Sequence, residues 1–106
     1  MNGNMFTGLL AQRVLGWTVA PDRFLTGGRQ WLPRWRFQPL KRLEDAFQLM
    51  NGAAPEEYTL GSEKGGFWAK VRIAGATGEA HESSQARAMT LAIARAIGLE
   101  VDASNE

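Results

Sequence analysis

Residues 67–73 alternate apolar and polar side chains, and this alternation constrains the fold more than any other feature of the chain. The two faces are Phe67, Ala69, Val71 and Ile73 on one side and Trp68, Lys70 and Arg72 on the other. A period of two indicates a β-strand with one buried face. The turn-forming residues 63–66 separate this strand from a shorter one at residues 57–60, which predicts a hairpin. Residues 79–82 predict a third strand after a turn at residues 75–78.

An alanine-rich helix follows the strands. Ser83 or Ser84 is placed to cap it, because a serine oxygen accepts a hydrogen bond from an amide two or three residues further on. Gly98 is placed to end it. Apolar residues recur at helical spacing as Ala86, Met89, Ile93 and Ile97. The small residues Ala92 and Ala96 on one flank would allow this helix to approach a sheet closely.

Two further helices are predicted in the first half of the chain. Residues 5–15 have a helical stripe and end at Gly16, a left-handed cap; the stripe is Phe6, Leu10, Val14 and Trp17. Pro39 is expected to open the second helix, since proline suits a first helical position, and Asn51-Gly52 to end it. The apolar stripe of this second helix is Leu40, Leu43, Phe47 and Met50. Residues 17–38 between the two helices show no period, and their tryptophans predict a long loop packed back on the body.

These elements predict one α+β domain over residues 5–99, with frayed termini at residues 1–4 and 100–106. An antiparallel three-stranded sheet packs with three helices, in the order α, long loop, α, β, β, β, α. A chain of 106 residues can bury a core without disulfides or a structural metal. It has no cysteine, which excludes a disulfide scaffold, a thiolate nucleophile and a thiolate zinc site.

The location expected for such a chain is the cytoplasm. No apolar run reaches the 18 or so residues of a membrane span, and no basic and then apolar leader is evident. We therefore expect no membrane association. If the chain is encoded by a phage, the cytoplasm is that of the bacterial host.

Several loose motifs resemble a known family. The first helix ends in Arg13-Val14-Leu15-Gly16-Trp17, and a second tryptophan follows at Trp31 or Trp35. Phe37-Gln38-Pro39 precedes a helix that carries Ala46, and the last helix is rich in alanine from Ala86 to Ala96. With these features, about residues 5–99 resemble the phage ABA sandwich domain family of small phage and prophage proteins. The basic runs Arg34-Trp35-Arg36 and Leu40-Lys41-Arg42 depart from that family, which is more acidic or polar there. The resemblance implies a fold and a phage or prophage origin, and it transfers no catalytic residue.

No arrangement of residues in the sequence indicates catalysis, a metal or a cofactor. His81 is the single histidine, and a strand would place Glu79 on its face and Glu82 on the opposite one. Ser83 and Ser84 are explained as helix caps, and neither a nucleophile elbow nor a phosphate-binding glycine loop is present. We therefore predict that the chain is not an enzyme, that it has no catalytic or metal-binding residue and that it needs no cofactor.

Charge is distributed very unevenly along the chain. Residues 1–42 contain seven basic residues and one acidic residue, a net charge of +6, whereas residues 43–106 contain five basic and ten acidic residues, a net charge of −5. The basic residues concentrate around aromatic side chains between positions 29 and 42. The candidate binding residues are Arg29, Trp31, Arg34, Trp35, Arg36, Lys41 and Arg42. In a helix that begins at Pro39, an anion would meet unpaired amides together with Lys41 and Arg42.

Three interpretations of the segment 29–42 stay open. It could be structural, with the tryptophans packed in a satellite core. It could be a protein interface or a self-association surface, since Trp and Arg are favoured hot-spot residues. It could also bind single-stranded nucleic acid through cations for phosphates and flat rings for bases. We expect an interaction or accessory module of a phage type, with nucleic-acid binding through residues 29–42 as the alternative.

Double-stranded RNA-binding domains share the order helix, three strands, helix. Those domains need a basic cluster at the start of the last helix to hold phosphates. Residues 82–87 provide only Arg87 there, next to Glu82. Duplex RNA binding is therefore disfavoured.

The predicted core can be tested at Ile93. We expect a shared core whose members are Leu43, Phe47, Phe67, Val71, Ile73, Met89 and Ile93. An Ile93→Ala substitution should lower the free energy of unfolding by about 2–5 kcal/mol, because buried methyl groups are lost and a cavity remains. Urea unfolding measures this, and an unchanged midpoint would mean that the last helix turns a different face to the core.

Overall fold

The computed structural model describes residues 3–99, with side chains from residue 5 onward. Two short turns of non-α helix occur besides the regular elements: a π-helical turn at Ala11–Leu15 and a 3₁₀ turn at Arg34–Arg36. The chain order of the regular elements is α1 (Gly3–Leu10), β1 (Thr18–Val19), β2 (Arg23–Leu25), β3 (Trp31–Pro33), α2 (Leu43–Ala53), β4 (Glu57–Glu63), β5 (Gly66–Ile73), β6 (Ala76–Glu82) and α3 (Gln85–Ala96).

Strands β4, β5 and β6 form the predicted antiparallel sheet in that order, which confirms the α+β fold class. Val71 in the central strand lies opposite Tyr58 on one side and Gly78 on the other. The outer strands are longer than predicted. Strand β4 continues beyond residue 60 to Glu63, and β6 begins at Ala76 rather than at residue 79. The sheet has one face toward the helices and one toward solvent.

Helix α3 lies at the centre of the molecule. Nine of its twelve residues are buried, and it packs against β5, β6 and α2. A helix with apolar residues on every side is suited to such a position. Ser84 caps it as predicted, by accepting a hydrogen bond from the Arg87 amide at 3.2 Å. The buried side chains of α1, both sheets, α2 and α3 form one continuous core.

The turn before β6 differs from the prediction. It occurs at Ala74-Gly75, which have φ angles of 51° and 83°, while Gly78 lies inside the strand. Gly78 is buried because the backbone of α3 passes directly over it. A Cβ atom at this position would overlap the carbonyl oxygen of Ala92 and the amide nitrogen of Ala96. Gly78 and the narrow alanine flank therefore form the close contact of helix and sheet.

Helix α2 has different ends from those predicted. It begins at Leu43 instead of Pro39, because residues 38–42 form a turn in which the amides of Lys41 and Arg42 both donate to the Gln38 carbonyl. It continues through Asn51-Gly52 to Ala53, and the left-handed residue after it is Ala54, with φ at 47°. The absent side chain of Gly52 leaves space for Leu15 of the π-helical turn.

The shifted start of α2 also changes which of its residues are buried. Its buried face is formed by Asp45, Ala46, Leu49 and Met50. Leu43 is 46% exposed and Phe47 is 36% exposed, so the prediction that both are buried is wrong. Phe67 is likewise exposed, because it lies at the hairpin end of the sheet, opposite Glu82. The remaining predicted core residues are fully buried (Val71, Met89 and Ile93) or partly buried (Ile73).

The first helix and its cap agree with the sequence pattern. Phe6, Leu10 and Trp17 are buried and Val14 is half-buried. The helix changes from α to π geometry at Ala11, and Gly16 ends it with φ at 71°. Residues 1–2 and 100–106 lie outside the described residues, so the predicted frayed ends and the domain limits at 5 and 99 stay predictions.

The long connection predicted at residues 17–38 contains a second antiparallel sheet, in the order β1, β2, β3. Val19 pairs with Phe24, and Phe24 pairs with Leu32. These three side chains share the inner face, where Phe24 is fully buried. Strands of two and three residues are too short to show an alternating pattern, which is why the sequence did not reveal this small sheet.

We predict that a single methyl group at Gly78 destabilises the fold. Gly78→Ala should lower the free energy of unfolding by about 3 kcal/mol or more, since the new Cβ meets backbone atoms and α3 must move away from the sheet. Urea unfolding measures the change. Thr77→Ala, at an exposed position of the same strand, is the control and should stay within about 0.5 kcal/mol of the wild type. Equal stabilities for Gly78→Ala and the wild type would contradict the close contact.

Candidate binding surface on the small sheet

Three aromatic rings fix the small sheet to the body of the protein. The Trp17 ring lies 5.5 Å from Phe24 and 5.0 Å from Phe37, and Phe24 and Phe37 meet edge to face at 5.9 Å. All three residues are buried. Tilted and edge-to-face contacts at these distances are favourable for aromatic pairs beyond the area they bury. The small sheet is therefore a supported platform, and its inner face is apolar.

The outer face of the small sheet carries Trp31. Trp31 pairs with Leu25, and Arg23 pairs with Pro33, so these four side chains project to the same side. Trp31 is 52% exposed, and the Arg23 guanidinium lies over its ring at 4.2 Å. The ring of Trp31 is thus presented to solvent next to a cation.

Trp35 extends the aromatic surface beyond the strand. It lies in the 3₁₀ turn that follows β3, is 61% exposed, and has the Arg36 guanidinium 5.7 Å from its ring. Neither Trp31 nor Trp35 belongs to a buried satellite core. Of the three tryptophans in this half of the chain, only Trp17 fills that structural role.

A network of hydrogen bonds holds the segment around Trp35. The side-chain amide of Gln38 donates to the Trp35 carbonyl at 2.7 Å, and the backbone amide of Gln38 donates to the Asp45 carboxylate at 2.9 Å. One residue further on, the buried Thr90 hydroxyl of α3 donates to the Pro39 carbonyl at 2.8 Å. Trp35 is therefore displayed by a segment that is tied to α2 and to the central helix.

Arg34 differs from the other candidate residues because its side chain turns inward. Its guanidinium lies 4.7 Å from the Phe24 ring and donates to the Ala20 carbonyl at 3.1 Å. It also closes one side of an apolar groove beside α1, close to Gly8. Burial lowers the pKa of Arg34 below its ordinary value, because desolvation disfavours the cation. Arg34 therefore lies beneath the small sheet and supports it.

The other four basic candidates are exposed. Arg29, Arg36, Lys41 and Arg42 form no ion pair with a carboxylate of residues 3–99. In the second half of the chain the described ion pairs are local: Lys70 with Glu79, Arg72 with Glu56 and Glu57, and Arg87 with Glu82. On the small sheet itself, Arg23 pairs with its neighbour Asp22 at 3.8 Å. The described acidic residues therefore leave the four exposed cations of the segment 29–42 without a carboxylate partner. We call Arg23, Arg29, Trp31, Trp35, Arg36, Lys41 and Arg42 the basic aromatic surface.

An open groove of about 550 Å³ lies between the β2–β3 turn and the start of α2. Arg36 and Arg42 line it, but Glu44 and Asp45 do so as well. Because α2 begins at Leu43, these two acids occupy its first turn, and Lys41 and Arg42 precede it. The expected anion site at a helix beginning with Pro39 is therefore wrong, since two carboxylates already satisfy the positive end of the helix dipole.

Sequence reasoning missed Arg23 as a member of the surface. Arg23 is eight residues from Trp31 in the chain, and only the pairing of β2 with β3 brings them together. The Asp45 contact with Gln38 was missed for a similar reason, because it depends on where α2 begins. A sequence signal existed only for the cluster of cations and rings between positions 29 and 42.

The residues considered for chemistry are placed on other elements. His81 is exposed on the open face of the main sheet, opposite Trp68, and shares that face with Glu79. Within residues 3–99, no three His, Asp or Glu side chains come close enough to share a metal ion. Among the same residues, no helix is long and apolar enough to cross a membrane.

Comparison with known proteins identifies a fold relative. The chain is similar to a phage protein from Bacillus cereus ATCC 14579 of known crystal structure, with a TM-score of 0.74 and 15% sequence identity. The similarity covers 96% of this chain and 93% of the other. No protein-family model matches the sequence, so the resemblance to the phage ABA sandwich domain is not confirmed. None of the curated proteins matches it significantly.

We predict that Asp45 is needed to hold the Trp35 segment. Asp45→Ala removes the acceptor of the Gln38 amide and should lower the free energy of unfolding by about 1–3 kcal/mol. Asp45→Asn keeps an oxygen acceptor and should lose less. Glu44→Ala is the control, because it removes the same charge from the same helical turn at an exposed position. Equal losses in Asp45→Ala and Glu44→Ala, measured by urea unfolding, would show that charge matters and the hydrogen bond does not.

Proposed function

We propose that this chain is a phage- or prophage-type accessory protein that acts by binding an anionic partner through the basic aromatic surface. The observation that carries the proposal is the exposure of Trp31 and Trp35 within the segment 29–42, whose four exposed cations form no ion pair among the described residues. Exposed aromatic and arginine side chains are enriched where proteins contact their partners. The expected site of action is the cytoplasm of the bacterial host.

A phage-type role is supported by the fold. The similar protein from Bacillus cereus is a phage protein, and the similarity extends over nearly the full length of both chains. At 15% identity the two surfaces need not be alike, so the binding role rests on the residues of this chain alone.

A role without catalysis is supported by how the reactive side chains are used. Ser84 is engaged as the cap of α3, and His81 projects from the open sheet face beside Trp68. Asp45 is occupied by the Gln38 amide, and Glu56 by the Gly75 amide and Arg72. These contacts support structural roles for Ser84, Asp45 and Glu56.

The contacts that hold the surface in place also favour binding. Its rings are supported from below by the Trp17, Phe24 and Phe37 cluster, and Trp35 is held through Gln38. A surface that is already ordered before it meets its partner loses less conformational entropy on association. The basic aromatic surface is therefore suited to act without a large rearrangement.

The location of anion binding can be tested with heparin. Heparin is a flexible polyanion that offers dense negative charge and no bases that could stack. Arg29→Gln/Arg36→Gln should bind heparin about 5- to 30-fold more weakly at low salt, if each exposed contact contributes about 0.5–1 kcal/mol. Isothermal titration calorimetry measures the affinity for heparin, and circular dichroism verifies that the variant is folded.

The matched control is Lys64→Gln/Lys70→Gln, which removes two charges from the main sheet and its hairpin tip. It should bind nearly as the wild type does. If both double variants weaken binding equally, heparin responds to net charge and the proposed surface is wrong. If the wild type does not bind heparin at low salt, the proposed function is wrong.

A further inference from the structure

We infer that the partner of the basic aromatic surface is single-stranded nucleic acid, an inference that rests on the function proposed above. Trp31 lies on the solvent-facing side of a three-stranded antiparallel sheet, and Trp35 follows in the adjoining turn. Flat rings displayed on a sheet offer stacking positions to unpaired bases of any sequence.

The cations are placed where a phosphate backbone needs them. Arg23 stacks on Trp31 and Arg36 approaches Trp35, so each ring has a guanidinium beside it. Arg29 and Lys41 add exposed charges at either end of the segment. A single strand carries one phosphate for each base, so a cation beside each ring is available to the phosphate next to a stacked base. An acidic protein would instead have to place separate carboxylates opposite cations contributed by β2, the β2–β3 turn and the segment before α2.

The acidic first turn of α2 limits where the strand can lie. Glu44 and Asp45 line the α2 side of the groove and would repel phosphates there. The path with less repulsion follows the outer face of the small sheet past Trp31 and Trp35, where the acidic residue Asp22 is paired with Arg23. Arg36 then marks the border between this face and the groove, since it approaches Trp35 and also lines the groove.

A duplex is a poorer fit for the same molecule. The elements α2, β4, β5, β6 and α3 have the order of a duplex-RNA-binding domain, but Arg87 at the start of α3 is paired with Glu82 at 2.9 Å. On the neighbouring open sheet face, the cations Lys70 and Arg72 are likewise paired with Glu79 and Glu57. The bases of a duplex are also stacked on one another, so they cannot stack on Trp31 or Trp35 without being unpaired.

The test uses the full chain and a fluorescently labelled oligothymidine of about 12 nucleotides, a length within the range of single-strand sites. Binding is followed by anisotropy at about 50 and about 200 mM salt. With about four phosphate contacts the affinity should fall about 50-fold between these conditions. Trp31→Ala and Trp35→Ala should each weaken binding about 10-fold or more and leave the salt dependence unchanged, because stacking is lost and charge is kept.

Two matched variants separate stacking from other effects. Tyr58→Ala removes an exposed aromatic ring from β4 of the main sheet and should bind as the wild type does. Arg29→Gln/Arg36→Gln should weaken binding and also reduce its salt dependence, since fewer counterions are released. Tryptophan variants with wild-type affinity would overturn the stacking role.

Two competing ligands complete the test. A duplex of the same length and a labelled polyglutamate peptide are titrated under the same conditions, and both should bind more weakly than the single strand. Tighter or equal binding of the duplex overturns the preference for single strands, and tighter or equal binding of polyglutamate favours an acidic protein partner. If heparin binding maps to the surface while the oligonucleotide fails to bind, the inference is wrong and the proposed function stands.

Discussion

The contact between Gly78 and the backbone of α3 is the constraint on which the rest of the structure depends. It brings the central helix so close to the main sheet that no side chain fits between Gly78 and the Ala92–Ala96 turn of the helix. This close packing on the sheet turns another side of α3 toward α2, and Leu91 and Ala94 of the helix are buried as well. Because interiors are close-packed, a small shift of α3 would be felt by each of these layers.

The same helix links the core to the candidate surface. Thr90, fully buried on α3, donates to the Pro39 carbonyl and so holds the turn of residues 38–42 that precedes α2. Phe37 is inserted on the other side into the cluster with Trp17 and Phe24. Trp35 is thus separated by only a few residues from contacts at the centre of the molecule. A buried hydroxyl raises the free energy of the folded state unless it is hydrogen-bonded. The bond to the Pro39 carbonyl therefore explains how a threonine is tolerated at this buried position.

The sequence predicted the elements with strong periodicity and failed where position depends on tertiary contacts. The alternation in residues 67–73 and the cap at Ser84 could be recognised because each is encoded within a few residues. The start of α2 could not, because Pro39 suits a first helical position as well as it suits the turn it occupies. Gly78 was predicted to be a turn residue for a related reason. The sequence does not distinguish a glycine that permits a turn from a glycine that allows a helix backbone to pack against a strand.

The sequence predicted which residue types form the candidate surface, but only part of how their side chains are arranged. Cations and rings between positions 29 and 42 were evident, but the inward turn of Arg34 was not, since residues of one type in one run can face opposite sides of a short turn. The two arginines of the run Arg34-Trp35-Arg36 therefore have different roles. The Arg34 guanidinium contacts the Ala20 carbonyl and the Phe24 ring beneath the sheet, whereas the Arg36 guanidinium is exposed to solvent near Trp35. Exposed cations that repel one another raise the free energy of the folded chain unless an anion is bound. Their concentration beside two exposed rings therefore fits a surface whose charge is balanced by a partner.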